Sequence, residues 1–148
     1  MKNLICLLAL PLVLIFSCSS AKEELDETVN MLTLGPWTVT LNYEDEDLDG
    51  VFEEFGDDCE KDDRWEFYTN NTLRQDLGLV LCDPDDDPNF FIAADWELQN
   101  NQQDLIIKYG FDDIRFRIVS LTSNEMVLNI IDSANPSGVF THRVVLQR

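Results

Sequence analysis

The sequence predicts an all-β domain made of short antiparallel strands. From Trp37 to the end of the chain, short apolar-rich runs alternate with clusters of Asn, Asp, Gly, Ser and Pro, which are the residues of turns. Several runs alternate between apolar and polar residues, as at Ile114, Phe116 and Ile118, which are separated by polar or charged positions. Beyond Gly35 no long run has the apolar stripe of a helix, which excludes folds that alternate strands and helices.

The pattern predicts eight consecutive strands. Strands that follow one another through tight turns pair antiparallel, and eight of them either stack as a β-sandwich or close into a barrel without exposed edges. Because the alternation of apolar and polar residues is the same in both architectures, both stay open at this point. The predicted strands are Trp37–Tyr43, Arg64–Tyr68, Thr72–Asp76, Phe91–Leu98, Asp104–Tyr109, Ile114–Leu121, Glu125–Ile131 and Phe140–Gln147.

Residues 1–17 have the composition of a secretory signal peptide. Their start is positively charged, and the apolar run that follows is shorter than the roughly 20 residues of a membrane-spanning helix. The ending Ile15-Phe16-Ser17-Cys18 resembles the bacterial lipobox, in which the cysteine after the cleavage point carries a lipid. The resemblance implies that a lipid on Cys18 anchors the chain in a membrane. Ordinary cleavage near Ala21 is the alternative.

The residues after Cys18 predict where the anchored chain resides. Ser19 stands where the inner-membrane retention signal of enteric bacteria has aspartate, and Lys22-Glu23-Glu24 resembles the signal that sends lipoproteins of Bacteroidota to the cell surface. We expect the outer membrane of a Gram-negative bacterium, with surface exposure as a further hypothesis. Residues 18–33 then form a lipidated tether or a short helix, and residues 34–148 form the folded domain.

The charge of the chain is strongly negative and unevenly distributed. It has 29 acidic and 10 basic side chains and a formal net charge of −19. This excludes a nucleic acid as a partner, because phosphate binding needs a basic face. Most of the acidic residues precede residue 98. Charges that served solubility alone would be spread evenly, so the first part of the domain is expected to gather carboxylates locally.

The four cysteines reduce to one expected disulfide. Cys6 lies in the signal peptide and Cys18 is the expected lipid carrier, so Cys59 and Cys82 remain in the domain. An even pair in an exported domain normally forms a disulfide. The closed loop of about 22 residues would stabilise the fold by roughly 3 kcal/mol in the chain-entropy model.

Three segments resemble lipocalin-like proteins. Gly35-Pro36-Trp37 is similar to the Gly-x-Trp signature that opens the first strand of lipocalins. The run Cys59–Asp63 followed by Trp65-Glu66-Phe67, and Trp96-Glu97-Leu98 before an apolar strand, are similar to the lipocalin-like lipoproteins of Bacteroidota. The resemblance covers residues 32–148.

This resemblance favours the barrel over the sandwich. It implies an eight-stranded antiparallel up-and-down barrel that is closed at one end near Trp37. In lipocalins a basic residue of the last strand often packs over this tryptophan. Arg143 and Arg148 are the two candidates for that role.

The acidic stretch contains a candidate calcium loop. Asp45, Asp47 and Asp49 alternate ahead of Gly50, as at the start of known calcium loops, where aspartate oxygens converge on one ion. The loop is not an EF-hand, because residue 56, where the closing glutamate would stand, is glycine. Further ligands are expected from Glu53 or Glu54. The alternative is a solvated acidic loop, as charge runs usually are.

The sequence leaves two hypotheses for the function of the barrel. Trp65, Trp96 and His142 share the phase of the apolar strand positions, so they either pack in the core or line a lumen that holds a small apolar ligand. The alternative is a packed barrel that contacts a protein or glycan through its acidic rim. An open cavity with tryptophan and His142 on its wall would favour the first reading.

An enzymatic function has little support in the sequence. It lacks a Gly-x-Ser-x-Gly motif and a phosphate loop, and its single histidine limits acid–base catalysis. We therefore expect a binding protein that uses no organic cofactor.

Overall fold

The computed structural model describes residues 20–45, 47, 49–110, 112–131 and 142–148, with side chains from residue 27 onward. One helix precedes a sheet of nine antiparallel strands, and a short 3-10 turn covers Asp58–Glu60. The elements are α1 (Ser20–Thr33), β1 (Trp37–Glu44), β2 (Glu53–Glu54), β3 (Arg64–Phe67), β4 (Thr72–Asp76), β5 (Phe91–Gln99), β6 (Asp104–Lys108), β7 (Asp113–Leu121), β8 (Glu125–Ile130) and β9 (His142–Gln147).

The sheet closes into a barrel, which confirms the fold predicted from the sequence. The strands follow one another in chain order from β3 to β9, and β9 pairs with β1 from Gln147 opposite Thr38 to His142 opposite Glu44. The eight long strands agree with the predicted ones within two residues at each end, although Phe140 lies outside the described residues. The sequence missed β2, which pairs only with the end of β1.

The segment before the barrel is helical where the structure describes it. Of the two alternatives predicted for residues 18–33, a tether or a helix, the structure has the helix α1 over Ser20–Thr33. The expected signal peptide and Cys18 lie outside the described residues. No helix of the described segments has the length and apolar character needed to cross a membrane.

The inward face of the strands forms one apolar core. Its largest fully buried side chains are those of Trp37, Phe67, Leu73, Leu105 and Ile107 and of three residues of the last two strands, and the helix adds Leu32. These positions recur at every second residue, as expected for strands with one buried face. The three residues of the last strands are Met126, Leu128 and Leu146.

One end of the barrel is closed around Trp37. The indole nitrogen of Trp37 donates a hydrogen bond to the carbonyl oxygen of Leu32 at 3.0 Å, which fixes the helix to the first strand. The guanidinium of Arg148 lies 3.6 Å from the centre of the Trp37 ring. It also donates hydrogen bonds to the carbonyl oxygens of Met31 and Ser123. Arg148 therefore has the role for which two arginines were candidates.

Arg143 has a different position, on the outer wall. It stacks on the ring of Phe52 at 4.1 Å and donates a hydrogen bond to Asn129 at 2.8 Å. Of the two candidates, Arg143 is therefore the wrong one for the closed end. The two arginines have opposite phases along the chain, and only Arg148, beyond the end of β9, reaches the base of the barrel.

Polar side chains form a ladder across the outer wall. Asp104, Arg117, Asn129 and Arg143 lie opposite one another on β6, β7, β8 and β9. The nitrogen Nε of Arg117 lies 2.6 Å from a carboxylate oxygen of Asp104, which is only 1% exposed. A buried carboxylate is tolerated when its charge is paired and hydrogen-bonded. The ladder therefore satisfies polar groups on the outside of the same strands that form the core.

Candidate functional site

A cavity of about 260 Å³ opens at the end of the barrel opposite Trp37. Its floor is apolar and is formed by Val39, Val144 and Ile130 together with the ring of Trp65. Trp65 is half-buried and meets the Phe116 ring edge-on at 5.9 Å. The polar residues around the opening are Asn42, Glu60, Asp63, His142 and Arg143, with Phe55 beside them.

His142 lies at the rim of this cavity rather than deep in the barrel. Its Nε2 atom lies 3.1 Å from a carboxylate oxygen of Glu44, and its ring meets Phe55 edge-on at 5.6 Å. Phe55 is held in place because its backbone amide donates a hydrogen bond to the carbonyl oxygen of Asn42 at 3.0 Å. The structure therefore brings His142 and Trp65 to one cavity.

Trp96 is separate from this cavity. Its indole nitrogen donates hydrogen bonds to the carbonyl oxygens of Tyr68 and Thr72 at 3.2 and 3.0 Å, and the side chain is almost fully buried. It packs edge-on against Phe67 and borders a different cleft, which lies beside Val29 of α1. The alternation of a strand predicts which side chains point inward but not how far along the barrel they lie. Trp96 was therefore predicted together with Trp65, although the two line different cavities.

Tyr109 and Gln75 form a polar pair inside the barrel that the sequence did not predict. The hydroxyl of Tyr109 donates a hydrogen bond to the side-chain oxygen of Gln75 at 2.8 Å. Burial raises the pKa of Tyr109 to about 12, so the hydroxyl stays protonated and continues to donate. Gln75 shares the inward phase of Leu73 in β4, and that phase was the available signal.

Asp63 is a half-buried carboxylate on the cavity wall. One of its oxygens, Oδ1, accepts a hydrogen bond from the backbone amide of Gly78 at 3.1 Å. Burial raises the pKa of Asp63 above its usual range; the hydrogen bond from Gly78 opposes this rise, and the charges of Asp62 and Glu60 add to it. Asp63 is therefore a charged group held where its charge is unfavourable, a feature typical of functional sites.

Asp62 binds the backbone of the loop that contains Gly78. Its carboxylate accepts hydrogen bonds from the amides of Leu79 and Val80 at 2.5 and 3.0 Å. A methyl group at Gly78 would overlap this carboxylate, so the loop requires glycine there. The Cys59–Cys82 disulfide, with 5.1 Å between the two α-carbons, joins the same two segments and confirms the predicted pairing.

The acidic loop beyond β1 brings three aspartates together. Asp45, Asp47 and Asp49 each present a carboxylate oxygen, and these oxygens lie within 4.8 Å of one another. Asp45 is buried and accepts hydrogen bonds from the amides of Asp49 and Gly50 at 3.1 and 2.9 Å. The aspartates thus accept hydrogen bonds from backbone amides of their own loop, and the exposed carboxylates of Asp47 and Asp49 line a cleft of about 400 Å³.

The two glutamates predicted as further calcium ligands differ in their surroundings. Glu53 and Glu54 both border the cleft that Asp47 and Asp49 line. Glu54 forms an ion pair with Lys61 at 2.7 Å, whereas the ion pairs of the described residues include none for Glu53. Glu53 is therefore the better placed of the two to join the aspartates.

The closed antiparallel barrel with a cavity at one mouth defines a ligand-binding type of barrel. A family model described as a lipocalin-like domain matches residues 33–128. The chain belongs to this lipocalin-like family. The chain is similar to a solved structure of a lipocalin-like protein from Bacteroides uniformis, with 12% sequence identity and a TM-score of 0.49. The match covers 80% of this chain and 98% of that chain. No curated protein matches the sequence.

The raised pKa of Asp63 predicts a pH-dependent stability. A carboxyl whose pKa is higher in the folded than in the unfolded chain makes the fold less stable as the pH rises through that interval. The penalty is therefore fully present at pH 7 and absent well below about pH 3.9, the ordinary value for aspartate. Asp63→Asn keeps the acceptor for Gly78 and removes the charge, so we expect a higher melting temperature at pH 7.

Melting curves followed by circular dichroism across this pH range would measure the effect. The gain should shrink on acidification, and Asp95→Asn, which removes an exposed charge, should show little change. A gain from Asp63→Asn that stays constant with pH would contradict the assigned cause.

Proposed function

We propose that the chain is a binding protein that holds a small apolar ligand in the cavity at the barrel mouth, without catalysing a reaction. The observation that carries this proposal is the cavity itself, with Trp65 and the floor of Val39 and Val144 on the inside and His142 at the rim. An apolar pocket with a few polar groups at its opening is the usual form of a small-molecule site. Membership in the lipocalin-like family supports the same role.

The size of the cavity limits the ligand. A volume of about 260 Å³ lies just below the roughly 300–1,000 Å³ of common ligand pockets. Toward the closed end the interior is filled by fully buried side chains such as Leu105, Ile107 and Leu128. A ligand with one or two rings and a short chain suits this space better than a long acyl chain.

Filling the cavity should abolish binding of a neutral apolar probe. We expect phenylnaphthylamine fluorescence to rise with the wild-type chain, because the probe leaves water for the apolar pocket. Ile130→Trp places a large ring in the cavity and should remove this response. Val119→Trp adds the same ring on the exposed outer wall and should leave the response unchanged. An equal response from the Ile130→Trp chain would show that the probe binds elsewhere.

We propose that a lipid on Cys18 anchors the barrel in the outer membrane, with the barrel exposed at the cell surface. The lipobox-like ending at Cys18 supports this proposal, and the helix α1 would then connect the anchor to the barrel. Mass spectrometry of the chain made in a Gram-negative host should find a mature N-terminus at Cys18 that carries diacylglycerol. Cys18→Ala should release the chain from the membrane fraction. A mature start near Ala21 would refute lipidation.

We propose calcium as the ligand of the acidic loop. Asp45, Asp47 and Asp49 offer converging oxygens with Glu53 nearby, and calcium needs six to eight oxygen ligands. A carboxylate oxygen that accepts one amide hydrogen bond still has a second lone pair for an ion. The cluster thus combines preformed geometry with mutual repulsion that a divalent cation would relieve.

Calcium should raise the melting temperature of the oxidised chain by several degrees relative to a chelator, because an ion that binds only the folded state stabilises it. Asp47→Asn with Asp49→Asn should abolish this shift and leave the buried Asp45 intact. Asp85→Asn with Asp86→Asn removes the same charge from another exposed acidic loop and should preserve the shift. A shift that survives in the first pair, or that is absent in the wild type, would overturn the assignment.

A further inference from the structure

The cavity at the barrel mouth carries two carboxylates. Glu60 is exposed at the rim, and a Cβ at Gly56 would lie 2.5 Å from one of its oxygens, so the carboxylate rests against the backbone of the loop that covers the opening. Asp63 is half-buried deeper in the wall. Its Oδ1 accepts the hydrogen bond from Gly78, and the hydrogen bonds of the described residues include none to its Oδ2.

The cations around the opening have other partners. Lys61 lies 2.7 Å from Glu54 and 3.0 Å from Asp58. The guanidinium of Arg143 lies against Phe52 on the outer wall, where it also binds Asn129. Across the described parts of the chain, no basic side chain lies within ion-pair distance of either cavity carboxylate.

His142 does not change this balance. Its Nε2 atom faces a third acid, Glu44, at 3.1 Å. The polar side of the cavity thus carries two carboxylates without an ion pair among the described residues, and its apolar side carries the rings of Trp65 and Phe55. Aromatic faces attract cations, and carboxylates form stronger hydrogen bonds with charged than with neutral donors. The net charge of −19 further raises the local concentration of cations.

We propose that the ligand of this cavity is a small amphiphilic cation, with an apolar body on Trp65 and a protonated amine between Asp63 and Glu60. The inference rests on the proposed binding function and names the chemical class of its ligand. The amine supplies a positive charge beside the two carboxylates, which have no ion pair among the described residues. The ring or chain behind it fills the space above Val39 and Val144. An anion of the same shape would place its negative charge beside Glu60 and Asp63 and is disfavoured.

Three compounds with the same phenylpropyl group and different charges test the ligand class separately from the ability of the cavity to bind. Isothermal titration of the oxidised chain at pH 7 would compare phenylpropylamine, phenylpropanol and phenylpropanoate. We expect the amine to bind about tenfold more tightly than the alcohol, the factor for a charge-assisted hydrogen bond in place of a neutral one. The carboxylate compound should bind most weakly.

Matched variants test whether Asp63 and Glu60 cause the preference for the amine over the alcohol. Asp63→Asn with Glu60→Gln should bring the amine to the affinity of the alcohol and leave the alcohol unchanged, since both substitutions keep the shape of the side chain. Asp95→Asn with Glu125→Gln removes the same charge from the exposed outer wall and should retain the preference. Melting curves would confirm that each variant is folded.

The outcomes distinguish the class of the ligand from the binding function itself. If the alcohol binds as tightly as the amine, the cavity is a general apolar site and the ligand class is wrong, while the binding function stands. If the amine preference survives in the Asp63/Glu60 variant, it arises from the overall charge and the proposal fails. If none of the three compounds binds, the binding function of the cavity fails as well.

Discussion

The unequal pairing of the two edges of β1 shapes the whole barrel. One edge pairs with β9 along nearly its full length, and this closes the sheet. The other edge pairs with β3 only at Trp37 and Thr38, and β2 takes the last two residues. Between these pairings the wall depends on the segment that precedes β3, where the Val39 amide bonds to the Asp63 carbonyl oxygen at 2.8 Å. The cavity lies at this irregular part of the wall.

The two ends of the barrel differ because of this geometry. Around Trp37 the strands are paired on both sides, the helix and Arg148 cover the base, and fully buried side chains fill the interior. At the other end β1 and β9 extend past β3, and Phe55 and the acidic segment cover part of the opening. A rigid, packed base beneath an irregular mouth lets the mouth residues vary without loss of the core.

The fold was predictable because each strand carries its own signal. Alternation of apolar and polar residues marks β3 to β9 within two residues, and one barrel follows from their order. The two-residue β2 has no such signal, because it exists only through its pairing with β1. The choice between Arg143 and Arg148 for the base was not predictable. The alternation of β9 gives the direction of side chains within the strand, whereas Arg148 lies beyond its end.

The site was predictable only in part. Trp65 and His142 were found from their inward phase, whereas Trp96 shares that phase at another depth. Asp63 carried no signal, because a carboxylate in an acidic run looks like any solvated charge. Its burial arises from the pairing of its carbonyl with β1 and from the loop at Gly78, which approaches from a distant part of the sequence.

The Cys59–Cys82 disulfide has a consequence for the thermodynamics of recognition. It joins the segment that carries Glu60 and Asp63 to the loop that contains Gly78, and the hydrogen bonds of Asp62 and Asp63 fix the same junction. Much of the conformational entropy of this wall is therefore lost during oxidative folding, before any ligand arrives. Association then needs little further ordering of the backbone, so that even a molecule with few atoms retains most of its interaction energy as affinity.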